Sequence, residues 1–328
     1  MVDPLLDVIT LLRPRAVFSK VISGAGAWAV RYSAFGQPSF CTMLEGRCVL
    51  TVDQQEPLTL EAGDFLLMPA TPGFTLSSPE PAVPVFLDPD QTRDTTGELR
   101  HGRRSGPPDV RMLGGYFAFD SPDAALLVSL LPVLLHVRGV ERLPVLVQLV
   151  RDESLDTRPG RDLVLRRLVE ILLVEALRSG SGSGSDSASG AATQGDGREG
   201  RDGREGDAPP GLLRGLADAR VAVGLRLMHG DPTRAWTVEA LARQAALSRS
   251  TFFDRFSRAV GVPPMEYLLS WRMALAKDLL VRGDLAIADV AERVGYGSAS
   301  TFSTAFSRYV GQPPGRYARE RETLALAS

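Results

Sequence analysis

Two stretches of this chain, fifty residues apart, are near copies. STFFDRFSRAVGVPP starts at Ser250 and STFSTAFSRYVGQPP starts at Ser300, and ten of their fifteen positions are identical. Each copy must therefore build the same local unit, which restricts the fold more than any composition figure does. Phe252 and Phe256 are four apart, as are Phe302 and Phe306, so each pair lies on one helical face and anchors a small core. Gly261 and Gly311 stop the helices, and Pro263-Pro264 and Pro313-Pro314 prevent continuation. A short amphipathic helix precedes each copy: TVEALARQAA, with Thr237 as N-cap, and IADVAERV. Ala246-Leu247 turns the chain before the N-cap Ser248, and Gly295-Tyr296-Gly297 supplies the second turn. Each copy is thus a helix–turn–helix, with Tyr267 and Tyr317 placed to pack back onto it.

The differences are patterned too. Phe253-Asp254-Arg255 becomes Ser303-Thr304-Ala305, and positions 253–254 and 303–304 project away from the phenylalanine face. A scaffold repeated with its outward face rewritten fits two reading heads for two base sequences. Residues 264–282 between them predict a helix of roughly 28 Å at 1.5 Å per residue. Successive major grooves on one face of B-DNA are about 34 Å apart. Arg243, Arg249, Arg258, Arg308 and Arg316 edge the two units. The competing reading is a duplicated helical bundle that binds nothing.

Charge divides the chain in the same sense. The 328 residues carry a net charge of −2, but residues 211–328 hold 16 basic against 11 acidic side chains, whereas 1–178 hold 18 against 22. A basic C-terminal part suits a polyanionic partner. Residues 179–210, rich in Gly, Ser and Asp, have no large apolar side chain before residue 212 and read as a flexible linker. Before it, residues 15–86 show short apolar stretches between turns, an all-β signature. SFCTML, EG and RCVLTVD read as a hairpin, and PLTLEAGDFLLMP as two strands. From residue 121 the texture turns helical, with AALLVSLLPVLLHV (124–137) taken as a buried helical region. RDLVLRRLVEILLVEALRS carries an apolar stripe wide enough for its own core and, on one reading, a second subunit. No membrane span is expected, the start lacks the basic stretch of a secretion signal, and two cysteines make no disulfide framework; a cytoplasmic setting fits.

LARQAALSRSTFFDRFSRAVGVPPMEYLLSWRMALAKDLL and IADVAERVGYGSASTFSTAFSRYVGQPPGRY resemble the DNA-binding domain of the AraC/XylS family of bacterial transcription regulators. The resemblance implies a bi-lobed all-α domain over 211–328 that binds double-stranded promoter DNA, with RNA polymerase a further partner if the protein activates. The family's base-reading positions fall on Ser250, Phe253 and Asp254 in the first head, and on Ala299, Ser300, Ser303 and Thr304 in the second. Phe253 suits a thymine methyl and Asp254 a cytosine amino group, whereas the second head offers only small side chains. Arg249, Arg258 and Arg308 are the accompanying phosphate candidates. Arg272 matches a basic family position and is expected to be structural.

The β part resembles a cupin barrel of the kind found fused to this DNA-binding domain, through PLLDVITLLRPRAV, MLEGRCVLTVDQQEPLTLEAGDFLLMP, RHGRRSGPP and YFAFDSP. Enzymatic cupins hold a metal through converging histidines and carboxylates. This chain has three histidines, has Phe40-Cys41 where related domains often place one, and has none in 70–74. No cofactor is expected, and Cys41 and His101 are weak metal candidates, read as a buried thiol and a loop histidine. The expectation is an α+β multidomain protein: a cupin-like β-barrel with helical extension (1–178), the linker (179–210) and a double helix–turn–helix domain (211–328). Its expected function is a homodimeric, non-enzymatic transcription regulator with a small-molecule effector. The alternatives are a cupin-fold metalloenzyme with a helical accessory domain and an architectural DNA binder with a vestigial sensor.

Overall fold

The structure, a computed structural model, describes residues 2–88, 98–121, 124–155, 158–182 and 210–326. Helix α1 (Pro4–Leu12) is followed by β1 (Pro14–Ala25), β2 (Ala29–Tyr32), β3 (Ser39–Glu45), β4 (Arg47–Val52), β5 (Leu58–Glu61) and β6 (Phe65–Met68). Then come β7 (Phe74–Ser77), β8 (Val85–Leu87), β9 (Leu99–Gly102) and β10 (Val110–Phe119). Helix α2 (Ala124–Ser129), β11 (Leu135–Val137), α3 (Arg142–Leu155) and α4 (Arg161–Gly182) complete this half. Beyond residue 210 all described elements are helices: α5 (Leu212–Ala217), α6 (Ala219–Gly230), α7 (Val238–Gln244), α8 (Arg249–Val260), α9 (Pro264–Arg282), α10 (Ile287–Arg293), α11 (Ala299–Val310) and α12 (Pro314–Leu326). Most of the expected linker, 183–209, lies outside the described residues, and α4 runs four residues into its start.

Contacts group these elements into two compact units. One is β-rich and takes in Arg15–Ala118 and Pro132–Pro209; the other is helical and takes in Met1–Pro14, Phe119–Leu131 and Pro210–Ser328. The helical unit is therefore assembled from three separated segments, whereas the sequence reading placed all of 1–178 in the first domain.

In the β-rich unit the strands form two sheets, ordered β11-β6-β3-β10-β1-β9 and β5-β4-β7-β2-β8. Their inner faces share one core: Met43, Leu66 and Met112 from the first meet Val30, Leu50 and Leu76 from the second. This corrects the expected hairpin at Glu45-Gly46. β3 pairs with β6 and β10, while β4 pairs with β5 and β7, so the turn hands the chain from one sheet to the other. Gly46 sits at φ 74°, and a Cβ there would come within 2.0 Å of the Asp109 carbonyl oxygen; only glycine fits this corner. A second correction concerns 124–137, where the helix ends at Ser129 and Leu135–Val137 pairs as a strand with β6. Pro132, between them, ends the helical run.

One contact in this unit had no sequence signal. The buried Asp64 carboxylate accepts from the backbone N–H of Glu61 at 3.0 Å, lies 2.9 Å from His136 Nε2, and pairs with Arg138 at 3.2 Å. It ties the β5–β6 turn to β11.

In the helical unit, α1 is capped by Asp3, whose carboxylate accepts from the N–H groups of Leu5 and Leu6. Its Val8, Ile9 and Leu12 are fully buried. Asp7 lies 3.0 Å from Nδ1 of His229 on α6, and Nε2 of the same ring lies 2.8 Å from the Tyr267 hydroxyl. The tautomer that satisfies both bonds donates from Nδ1 to the carboxylate and accepts the phenolic proton at Nε2. The ring also stacks on Trp271 at 4.1 Å. At the end of α1, Arg13 pairs with the buried Asp278, which also meets Arg282 at 2.8 Å.

Burial holds the His229 imidazole below its ordinary pKa, against the opposing pull of Asp7. A depressed histidine pKa means that the unfolded chain binds the proton first. Stability is then complete above about pH 6.5 and falls as the pH drops below that value. Thermal melts of the full chain should show this loss as the pH is lowered below about 6.5, and His229→Asn should flatten it.

Candidate nucleic-acid interface and interior cavity

The two repeated units fold as near-identical lobes. Phe252 and Phe256 have ring centroids 5.7 Å apart, and Tyr267 packs edge-on to Phe256 at 5.8 Å. In the second lobe Phe302 and Phe306 are 5.5 Å apart, with Tyr317 edge-on at 5.6 Å. All four phenylalanines are completely buried. Ser248 and Ser298 cap α8 and α11 by accepting from the N–H of Thr251 and Thr301, and Gly261 and Gly311 close both helices in left-handed geometry. α9 joins the lobes; Trp271 faces the His229 ring, and Met273, Ala276 and Leu280 belong to the second core.

The turns differ by one residue. Ala246 and Gly295 occupy corresponding places, each donating its N–H to the carbonyl three residues back. The first lobe then needs only Leu247 before its cap, whereas the second inserts Tyr296 and Gly297. Both turn residues have positive φ, 53° and 82°, but only one is a glycine.

The outward faces of α8 and α11 carry the residues singled out from sequence. Arg249, Ser250, Phe253, Asp254 and Arg258 are exposed on α8. Phe253 is 41% exposed, unusual for a phenylalanine beside two fully buried ones. Arg249, Ser250, Phe253 and Asp254 together line one shallow surface depression. Arg255 is exposed as well but is engaged with Asp218, the N-cap of α6. Burial raises the Asp218 pKa, but the bonds from Arg255 and from the N–H groups of Val221 and Arg220 outweigh it and hold the carboxyl below its ordinary value. Arg255 thus belongs to the scaffold, a role its place in the divergent triplet did not reveal.

On α11, Ser300, Thr304 and Arg308 are exposed, and Ala299 and Ser303 are half-buried. The Ser303 hydroxyl donates to the Ala299 carbonyl at 2.7 Å, and that of Thr304 to the Ser300 carbonyl at 3.1 Å. With their protons spent on the preceding turn, these hydroxyls offer outward lone pairs and a methyl group. Arg249, Arg258 and Arg308 form no ion pair among the described residues. Arg272 donates to the Pro232 and Arg234 carbonyls at 2.7 and 2.8 Å, the scaffold role expected of it.

The β-rich unit holds an interior cavity of about 100 Å³ between its two sheets. Leu50, Leu66, Leu76 and Met112 supply apolar wall, and Lys20, Ser39 and Cys41 supply polar groups. Burial pushes the Cys41 thiol far up and the Cys48 thiol up to about 12, and both cysteines are free. Such thiols are poor nucleophiles. His101 is not in the cavity lining; it stacks on Trp28 at 5.6 Å, and burial brings its pKa down to about 4. Cys41 and His101, the two metal candidates, are thus not brought together at this cavity. Among the described residues no group of three or more His, Cys, Asp or Glu is placed to hold a metal, and no helix is long and apolar enough to cross a membrane.

Residues 3–180 match the family described as Cupin, and residues 241–320 match the Helix-turn-helix domain family. An AraC-like transcription regulator of Streptomyces lividans is 37% identical over 301 residues, 90% of this chain and 91% of that protein. The chain belongs to the AraC-like transcription regulators. A second such regulator, from Streptomyces antibioticus, is 35% identical over the same shares. Among solved structures, the DNA-binding domain of AdpA in complex with a target DNA is 29% identical, covering 32% of this chain and 95% of that one, with a TM-score of 0.30.

As an AraC-like regulator the protein binds DNA through its helix–turn–helix domain. The left-handed alanine in its first turn leaves a small strain of about 1 kcal/mol. Ala246→Gly should therefore raise stability by roughly 0.5–1 kcal/mol in thermal or urea unfolding.

Proposed function

We propose that this DNA-binding regulator places α8 and α11 in successive major grooves and that occupancy of the cavity in its cupin-like unit controls which sites it holds. The observation that carries the reading is a pair of lobes on one shared helix, each with the same two phenylalanines and closing tyrosine but with different outward faces. α9, about 28 Å long, suits the groove spacing of about 34 Å once each lobe adds its own offset. Phe253 and Asp254 give the first head an apolar contact for a thymine methyl and an acceptor for a cytosine amino group. Ala299, Ser300, Ser303 and Thr304 give the second head small contacts, while Arg249, Arg258 and Arg308 approach phosphates.

Self-association is the second element of the reading. Val145 and Leu149 lie four apart on α3, and Val164 and Ile171 lie two turns apart on α4; all four are exposed. Apolar stripes of this kind on packed helices suit a second copy of the chain. Two tethered heads per subunit then bind paired half-sites with a gain set by their effective concentration. In an activating arrangement the further partner is RNA polymerase.

Binding-site selection on randomised duplexes with the full chain should yield two half-motifs about one helical turn apart. Asp254→Asn should change the preferred base in the first half-motif, with discrimination altered by about 1–3 kcal/mol, and leave the second unchanged. Arg258→Ala should weaken every site alike and reduce the salt slope by about 1. Binding that stays independent of salt and sequence would remove the reading. In sedimentation, the full chain should run as a dimer, and Val145→Glu with Leu149→Glu should run as a monomer.

A further inference from the structure

The shared core along α9 is not the sole link between the two lobes. Arg272 lies near the middle of this helix and is half-buried. Its Nε and Nη2 donate to the Pro232 and Arg234 carbonyls, which belong to the turn between α6 and α7 in the first lobe. That turn is itself well tied. The Asp231 carboxylate accepts from the Thr233 hydroxyl at 2.6 Å and from the Arg234 N–H at 3.1 Å. The Asp231 carbonyl accepts from the Trp236 indole N–H at 2.9 Å, and the Arg234 guanidinium lies over the Trp236 ring at 4.3 Å.

The second lobe reaches the same place. Gly295, in the turn that leads into α11, has φ 82°. A Cβ there would come within 2.7 Å of the Thr233 carbonyl oxygen and 2.9 Å of Arg272 Nη2. Ala246, at the corresponding place in the first lobe, carries a Cβ at φ 53°, so left-handed geometry alone does not demand glycine here. The missing side chain lets the turn of the second head rest on the turn of the first, with Arg272 beside both. A guanidinium suits that post: its planar fork holds two carbonyls at a set angle, which a lysine ammonium does not.

We infer that Arg272, together with Gly295, is a positioning pair that sets the spacing and helical phase at which α8 and α11 bind DNA together. This deepens the two-head reading above and rests on it. One added base pair moves a half-motif along the axis by about 3.4 Å and turns it by roughly 35°. Lobes joined at a second point beyond the shared core do not follow that change, and the gain from binding with both heads is lost.

Equilibrium binding of the full chain to its selected duplex, and to duplexes with one base pair added or removed between the half-motifs, tests this. The unaltered chain should lose at least about tenfold in affinity on either changed duplex. Arg272→Met keeps an apolar stem and removes the fork, and at a half-buried site water can take up the two carbonyls. Its loss on changed spacing should shrink to about threefold or less, with Arg272→Lys in between. Gly295→Ala, which presses the two turns apart, should relax the spacing likewise. Leu280→Ala destabilises the second core without touching the bridge, and it should stay as strict as the unaltered chain. An unaltered chain indifferent to spacing would overturn the inference while leaving two heads in place. So would Arg272→Met or Gly295→Ala proteins that stay strict, or equal relaxation in Leu280→Ala. If scrambling either half-motif costs the unaltered chain no affinity, the two-head reading itself fails.

Discussion

A single helix, α9, is common property of two hydrophobic cores. Tyr267 closes the first lobe over Phe256, and two turns further on Met273 and Ala276 belong to the second. Neither lobe has a complete interior without it. Because the apolar residues of α9 point to different sides along its length, the helix is buried on most of its circumference and shows little amphipathic bias. Both α8 and α11 pack into cores to which α9 contributes, so one helix is common to the two lobes. Phe253, Asp254, Ser300 and Thr304 are exposed and lie outside both cores.

The lobes were legible in sequence because their determinants are local. Phenylalanines four apart, a serine cap, a terminating glycine and a proline pair all act within one or two helical turns, and repetition made them visible. The β-rich half was less transparent. The strand positions of β3 and β4 were readable from alternation, but their partners were not, since strand pairing depends on residues far away in the chain. Glu45-Gly46 has the composition of a hairpin turn, and only the approach of Asp109 to Gly46 shows it to be a corner between sheets. The ties from Asp64 to His136 and from Asp7 to His229 were invisible for the same reason: nothing near either residue announces its partner. On α8, Arg255 belongs to the triplet that diverges between copies, yet it pairs with Asp218, which lies 37 residues upstream.

The β-rich unit shows how a cavity arises by subtraction. Two sheets packed with large side chains leave little room between them, and Gly114 on β10, where a Cβ would press on Ile22, withholds a side chain from it. The same interior holds two thiols whose acidity burial has suppressed.

The composition of the helical unit bears on the order in which the protein can be made. Its segments 1–14 and 119–131 leave the ribosome long before residues 210–328, and Asp7 waits 222 residues for His229. Until then Val8, Ile9 and Leu12 of α1 lack the α6 surface they pack against, and a nine-residue helix does not hold by itself. The helical unit is thus completed only once residues 210–328 are made, and a chain that stops short of them leaves the apolar face of α1 without its α6 partner.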